Sequence, residues 1–216
     1  MLAASLDGLG LVLAEDRQLK LVALARMLID WGKTTNLTGH RSVPGAIKHL
    51  VVGALALQKA VESQVGVGSG RTLVDLGSGA GFPGIPLAIA NSHSSVVLVE
   101  SRERRHHFQR AVRRELGLAN LDPRLGRMEV LPPSPADWVI AQAVASPPRV
   151  LAWAMEWVQP GGILVIPGGA QPPDPGPHPA LVESGTFHYS VPGGSPTQSL
   201  WWCRRMGHPG SDSSAS

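Results

Sequence analysis

The sequence predicts an α/β fold built on a parallel, doubly wound sheet, and three observations carry that reading. An apolar run, Thr72-Leu73-Val74, ends on Asp75 and is followed by the alternate glycines Gly77, Gly79 and Gly81 and then by Phe82-Pro83-Gly84-Ile85-Pro86. A second apolar run, Val96-Val97-Leu98-Val99, ends on Glu100, 25 positions after Asp75. Between residues 72 and 166 strand-like and helix-like patterns alternate, which is the mark of a parallel sheet with crossover helices.

At 216 residues the chain is long enough for one well-buried core, and 43% hydrophobic with 16% charged residues is a globular composition. No apolar run reaches the ~18–20 residues of a membrane span, so no membrane partner is expected. The start, Met1 to Ser5, lacks the basic region of a secretory signal, and Cys203 is the only cysteine, so a cytoplasmic chain without an internal disulfide is expected. No Cys/His cluster has zinc-ligand spacing, and no metal is expected. A net charge of +3 permits a polyanionic partner without requiring one. A monomer is expected, with a helical extension over residues 1–70 packed on a core of residues 71–206 and a disordered tail over 207–216.

In chain order, residues 10–32 have apolar positions at helical spacing, with Glu15 and Asp16 near the start and Gly32 as the stop. Residues 33–41 are polar and read as a structured loop, followed by a helix over 44–62 and a linker over 63–70. The strand that opens at Thr72 then delivers the glycine turn to a helix over 83–92, whose first turn tolerates Pro83 and Pro86 and leaves free amides facing the loop.

Such a turn suits a nucleotide cofactor. The spacing Gly79-x-Gly81-x-x-Gly84 matches a dinucleotide loop, in which pyrophosphate sits on the helix N-terminus. S-adenosylmethionine (SAM) carries an ammonium and a sulfonium in place of phosphate, and the carboxylate of Asp75 favours that cationic ligand. Gly77, Gly79, Gly81 and Phe82 are then cofactor-binding candidates, and Glu100 stands where such folds place a carboxylate on the ribose hydroxyls. The plain alternatives are a tight turn with no ligand and a Glu100 that only caps the next helix.

That helix, over 102–117, is basic and amphipathic: Phe108, Ala111, Val112 and Leu116 form the inward stripe, while six arginines between Arg102 and Arg114 are left largely outside. They read as a solvated face or as an RNA phosphate contact. Residues 121–127 form a weak third strand interrupted by Pro123, residues 137–142 a fourth and residues 161–166 a fifth, with a helix over 148–158 between the last two. Prolines at 132, 133 and 135 shorten whatever helix follows the third strand. After a Pro- and Gly-rich stretch over 167–184, residues 187–191 and 199–204 suggest a closing antiparallel hairpin in which Trp201 and Trp202 face opposite ways.

The segment Trp31-x-Lys33-x-x-Asn36-Leu37-Thr38-x-x-Arg41, the stretch from Asp75 to Pro86, and Glu100-Ser101 before a basic helix together resemble the bacterial rRNA small-subunit methyltransferase G family. The resemblance spans about residues 10–168. It implies a class I SAM-dependent methyltransferase, with a Rossmann-like seven-stranded sheet and N-terminal helices, that methylates N7 of a guanine in 16S rRNA. It further implies that Asn36 and Arg41 lie beside the active site, that Met128 lies against the adenine while Glu129 accepts a hydrogen bond from it, and that Gln142 stands in the catalytic set at a position where the family carries Arg. The chain departs from the family pattern in three places. His49 is followed by Leu50-Val51-Val52-Gly53 where the family has H-x-x-D-S, Gln142 replaces the Arg of S-R-A, and Pro167-Gly168 replaces Lys-Gly. Two classes of function therefore stay open: an active methyltransferase on rRNA or another target, and a non-catalytic SAM- or RNA-binding paralogue. A dinucleotide oxidoreductase is disfavoured by Asp75.

Overall fold

The structure, a computed structural model, describes residues 2–66, 71–142, 145–193 and 197–207. Part of the expected linker (67–70), residues 143 and 144, and the expected tail beyond residue 207 lie outside the described residues. The described elements are helices α1 (Leu2–Leu9), α2 (Glu15–Gly32), α3 (Val43–Ala46), a π-helical segment (Ile47–Val51), α4 (Val52–Val65), α5 (Gly84–Ala90), α6 (Glu103–Glu115) and α7 (Pro147–Ala154), which runs into a 3-10 turn (Met155–Trp157). The strands are β1 (Thr72–Leu76), β2 (Ser95–Glu100), β3 (Leu121–Leu125), β4 (Ala136–Ala141), β5 (Val158–Pro167), β6 (Leu181–Tyr189) and β7 (Gln198–Arg205).

The strands form one seven-stranded sheet in the order β3-β2-β1-β4-β5-β7-β6. β1 runs parallel to both β2 and β4, whereas β7 is antiparallel to β5 and β6, so the expected closing hairpin is present. Chain order reverses between β1 and β4. At that switch point a doubly wound sheet opens a crevice beyond the strands' carboxyl ends.

Period-2 alternation divides the core between the two faces of the sheet. Leu73, Leu98, Trp138, Ile163 and Trp202 point to one face, where they join Leu21, Leu24, Leu28, Val51, Leu55 and Phe108 from the helices. Val74, Val99, Val139, Leu164 and Trp201 point to the other, against Val150, Leu151 and Trp157. Each fully buried side chain of this size contributes ~1.5–3 kcal/mol, and the N-terminal helices share the first of these two clusters with the sheet.

Three local expectations change. The helix expected over 10–32 begins only at Glu15, as α2, and a separate helix, α1, precedes it: Gly10 takes a left-handed φ of 63°, Leu11 and Leu13 pack in the connection, and Leu19 is 63% exposed instead of inward. The helix expected over 44–62 carries the π segment, whose wider turn rotates Lys48 and His49 relative to α4. No helix joins β3 to β4; residues 128–130 form a turn, and the proline-rich 132–135 stretch is irregular. One side of the crevice is therefore left open.

Candidate active site

The glycine turn lies directly on the switch point. Leu76 is in register with Val99 on one side and Ala141 on the other. The amides of Gly77 and Ser78 both donate to the Val99 carbonyl, at 2.8 and 3.0 Å. Gly77, Gly79 and Gly81 have φ of 69°, 59° and 86°, a region that side chains with a Cβ rarely adopt. At Gly81 an added Cβ would also overlap Ile85, which is fully buried.

Two carboxylates close the bottom of this turn. Asp75 is 1% exposed and accepts the Gly84 amide at 2.9 Å, so its side chain holds down the first residue of α5. Burial raises its pKa to about 7, and the nearby Glu100 charge adds to the rise while the Gly84 amide opposes it. Among the described residues Asp75 has no cationic partner. Glu100, 4% exposed, accepts the Gly79 amide at 2.9 Å and the Arg102 amide at 2.7 Å, and Arg105 lies 3.8 Å from it. Two buried acids under a cradle of backbone suit a cationic ligand such as SAM and repel pyrophosphate. The expected direct meeting of Asp75 with that ligand is modified: the carboxylate lies beneath the start of α5, and its influence is through the field and through the shape of the turn.

Gln109, fully buried on α6, donates to Ser78 Oγ at 2.9 Å and to the Gly79 carbonyl at 2.8 Å. It fastens the turn to the helix behind it. Sequence reasoning missed it, although a lone amide inside the apolar stripe between Phe108 and Ala111 was the available signal.

Two cavities flank the turn. One, of about 460 Å³, is lined by Gly77, Val99 and Ser101 at the strand ends, by Gly126 to Glu129, and by Ser146, Arg149 and Trp153. Met128 and Glu129 are therefore on its wall. Met128 is buried and its carbonyl accepts from Trp157 Nε1 at 3.2 Å, while Glu129 is paired with Arg127 at 3.0 Å. The Arg149 guanidinium sits 4.7 Å above the Trp153 ring.

The other cavity, of about 290 Å³, is bounded by Phe82 and Pro83 from the turn, Gln142 beyond β4, Pro167 at the end of β5, Tyr189 of β6, and His40, His49, Leu50 and Gly53. Gln142, Pro167 and the His49–Gly53 stretch come from three distant parts of the chain, yet all three departures from the family pattern meet on this one wall. The rings of His40 and His49 are stacked there, 5.1 Å apart and 8° from parallel. Burial and the His49 charge lower the pKa of His40. Asn36 and Arg41 are exposed and are not among the lining residues; their segment contributes His40 to the wall instead.

A family model described as rRNA small subunit methyltransferase G matches residues 17–175. Ribosomal RNA small subunit methyltransferase G of Azoarcus sp. (strain BH72) is 35% identical over 174 residues, covering 80% of this chain and 79% of the relative. The protein of the same name from Cronobacter sakazakii (strain ATCC BAA-894) is 34% identical over 149 residues, 68% of this chain and 69% of the relative. Among solved structures, an O-methyltransferase from Bacillus cereus in complex with SAH superposes with a TM-score of 0.57 at 16% identity, over 85% of this chain and 91% of that one. An RNA methyltransferase from Salinibacter ruber in complex with S-adenosyl-L-homocysteine gives 0.52 at 20% identity, over 69% and 90%. At such identities these two likenesses establish the fold.

Proposed function

The chain belongs to the rRNA small subunit methyltransferase G family, and from this we propose that it transfers a methyl group from SAM to N7 of a guanine in 16S rRNA. It is a SAM-dependent methyltransferase by family and by fold. The observation that carries the reading is the glycine turn shared by two cavities, with Gly77 on the wall of one and Phe82-Pro83 on the wall of the other. Residues lining the first cavity would hold SAM, which would supply the methyl group beside the turn that also borders the second cavity.

SAM, when bound, supplies an electrophilic methyl on a sulfonium. Guanine N7 offers an unprotonated lone pair, so the protein has no proton to remove. Its work is alignment, an effect worth ~7–11 kcal/mol when reacting groups are held in line. Asp75 and Glu100 set a negative field under the turn, and Gln109 keeps the turn in shape. Met128 and Glu129 frame the adenine side. Phe82 lies on the wall that the base enters against, Gln142 offers an amide that both donates and accepts hydrogen bonds, and Arg41 with Asn36 forms the exposed rim for RNA. Residues 1–70 thus supply one part of the substrate wall, through His40, His49 and Gly53, while the cofactor side is built from residues 71–206. The A-form major groove is too narrow for such reading, so the target guanine is unpaired or splayed out. Among the described residues no helix is long and apolar enough to cross a membrane, and action on the ribosome places the protein in the cytoplasm.

Incubating the purified protein with labelled SAM and unmethylated small subunits, then mapping the label, tests this: label on a single guanine N7 is expected, and SAM binding without any transfer would defeat it. The convergence of Gln142, Pro167 and Gly53 on one wall favours a second reading, a SAM- and RNA-binding paralogue without turnover. Gln142→Arg with Pro167→Lys separates the two, since only a degenerate site gains activity from the exchange.

A further inference from the structure

A larger cavity, about 730 Å³, lies on the far side of α6, between that helix and the end of α2. Its walls carry Arg110, Arg113, Arg114 and His107 from α6 and the ring of Trp31 from α2, and no acidic residue lines it. We propose that this groove binds the phosphate backbone of the rRNA at a distance from the methylated base, with Trp31 as a stacking surface. The proposal rests on the rRNA reading above and names a second contact for the same partner.

The charges themselves argue for a ligand. Among the described residues Arg110 and Arg113 have no hydrogen bond or ion pair, and the partner of Arg114 is its neighbour Glu115, at 3.4 Å on an exposed surface, where a pair contributes little. The acids that neutralise α6 act upstream: Glu103 is near His107 at 3.7 Å and Glu100 near Arg105 at 3.8 Å. Arginines at i, i+3 and i+4 repel one another along a helix. The helix dipole favours the two in the last turn, Arg113 and Arg114, but accounts neither for Arg110 nor for the cavity beside them. A neighbouring cavity that shares Gly117 to Ala119 adds Arg17 and Lys20, offset by Asp16, so positive charge continues along the groove.

The chemistry of the walls selects nucleic acid. Guanidinium forks match phosphate oxygens in bidentate geometry. An aromatic face beside them is the usual platform for an unpaired base. Trp31 is held in place from behind by Phe108, edge-on at a centroid distance of 5.5 Å, so its orientation is set before any ligand arrives. The volume falls in the range of sites for nucleotide-sized groups. With ~1.5 Å of rise per residue, Arg113 and Arg114 lie roughly 6–8 Å further along α6 than Gln109, the residue that touches the glycine turn, a distance an RNA strand spans in a nucleotide or two.

The test compares the parent protein with Arg110→Gln/Arg113→Gln/Arg114→Gln, using protein-free 16S rRNA at graded salt and SAM calorimetry as a check on folding. All three side chains are exposed, so the variant keeps its fold and its SAM affinity. Its rRNA affinity is expected to fall ~10–100-fold at low salt, and the slope of log K against log salt to become shallower by about 2–3, at ~0.7–0.9 per phosphate contact. Trp31→Leu should weaken binding without changing the slope. Arg26→Gln, on the exposed side of α2 away from the groove, should leave both unchanged. An unaltered slope and affinity in the triple variant overturns the proposal. So does loss of binding to polyglutamate with rRNA binding intact, which assigns the groove to an acidic protein. A parent protein that binds rRNA through these arginines but labels no guanine removes the enzymatic reading and leaves the groove standing.

Discussion

The carboxylate of Asp75 accepts the backbone amide of Gly84 at 2.9 Å, deep beneath the glycine turn. One hydrogen bond thereby joins the end of β1 to the first residue of α5, and it does so with a group that burial and Glu100 push up to about 7 from an ordinary 3.8.

SAM binding should therefore depend on pH. A cationic ligand favours ionised Asp75, so affinity is expected to tighten as pH rises towards about 7 and to level off above it. Isothermal titration between pH 5.5 and 8.5, roughly one and a half units either side of that value, should show a proton released on binding. In Asp75→Asn this dependence should flatten and the affinity fall. A parent profile without slope in that window would remove Asp75 from the cofactor's field.

The same shift has a consequence for stability, of opposite sign to that of a salt-bridged acid. Because the folded pKa lies above the unfolded one, the stability this group contributes is fully present below 3.8 and is lost as pH rises through about 7. Asp75→Asn keeps an acceptor for the Gly84 amide without a charge to bury. It should be more stable than the parent at pH 8, by about 1–4 kcal/mol, and gain little at acid pH; urea denaturation at both pH values checks this.

At Gly84 the space is already taken. A Cβ would overlap Leu98 and lie 2.9 Å from Asp75 Oδ2, so Gly84→Ala must displace either the helix start or the carboxylate. A destabilisation of ~1–3 kcal/mol with loss of SAM binding is expected. Thermal unfolding and calorimetry on the same sample would register both.

Gln109→Leu keeps the volume but leaves the Gly79 carbonyl without its donor. The expected cost is about 1–3 kcal/mol in stability and roughly a tenfold weaker SAM affinity. Wild-type SAM affinity in this variant would show that the turn needs no support from α6.

Cys203 is fully buried on β7, and burial pushes its thiol up to about 12. It should resist alkylation at pH 8 in the native protein and react on unfolding. Rapid native labelling, followed by mass spectrometry, would contradict the packing of β7 between β5 and β6.

Much of this molecule was legible in one dimension. Runs such as Val96 to Val99 are apolar because both faces of a central parallel strand are covered, and each ends on an acid or a turn where the chain leaves the core. The basic helix showed its inward stripe at Phe108 and Val112 because a 3.6-residue period records a single buried face. The edge strand β6 was read short, beginning at 187 in place of Leu181, because its residues are mostly half-buried or exposed and carry little apolar signal.

Sequence alone determined the α/β class, the acid-glycine cradle and the family signature, since each is written in neighbouring residues whose spacing reflects local burial and backbone freedom. Tertiary structure alone decided that Asp75 bonds to Gly84, that Gln109 supports the turn, that Gln142, Pro167 and Gly53 share a wall, and that Trp31 faces the arginines of α6. Those relations join residues far apart in the chain. They arise from the order of the strands and the packing of the helices over them, which no local period encodes.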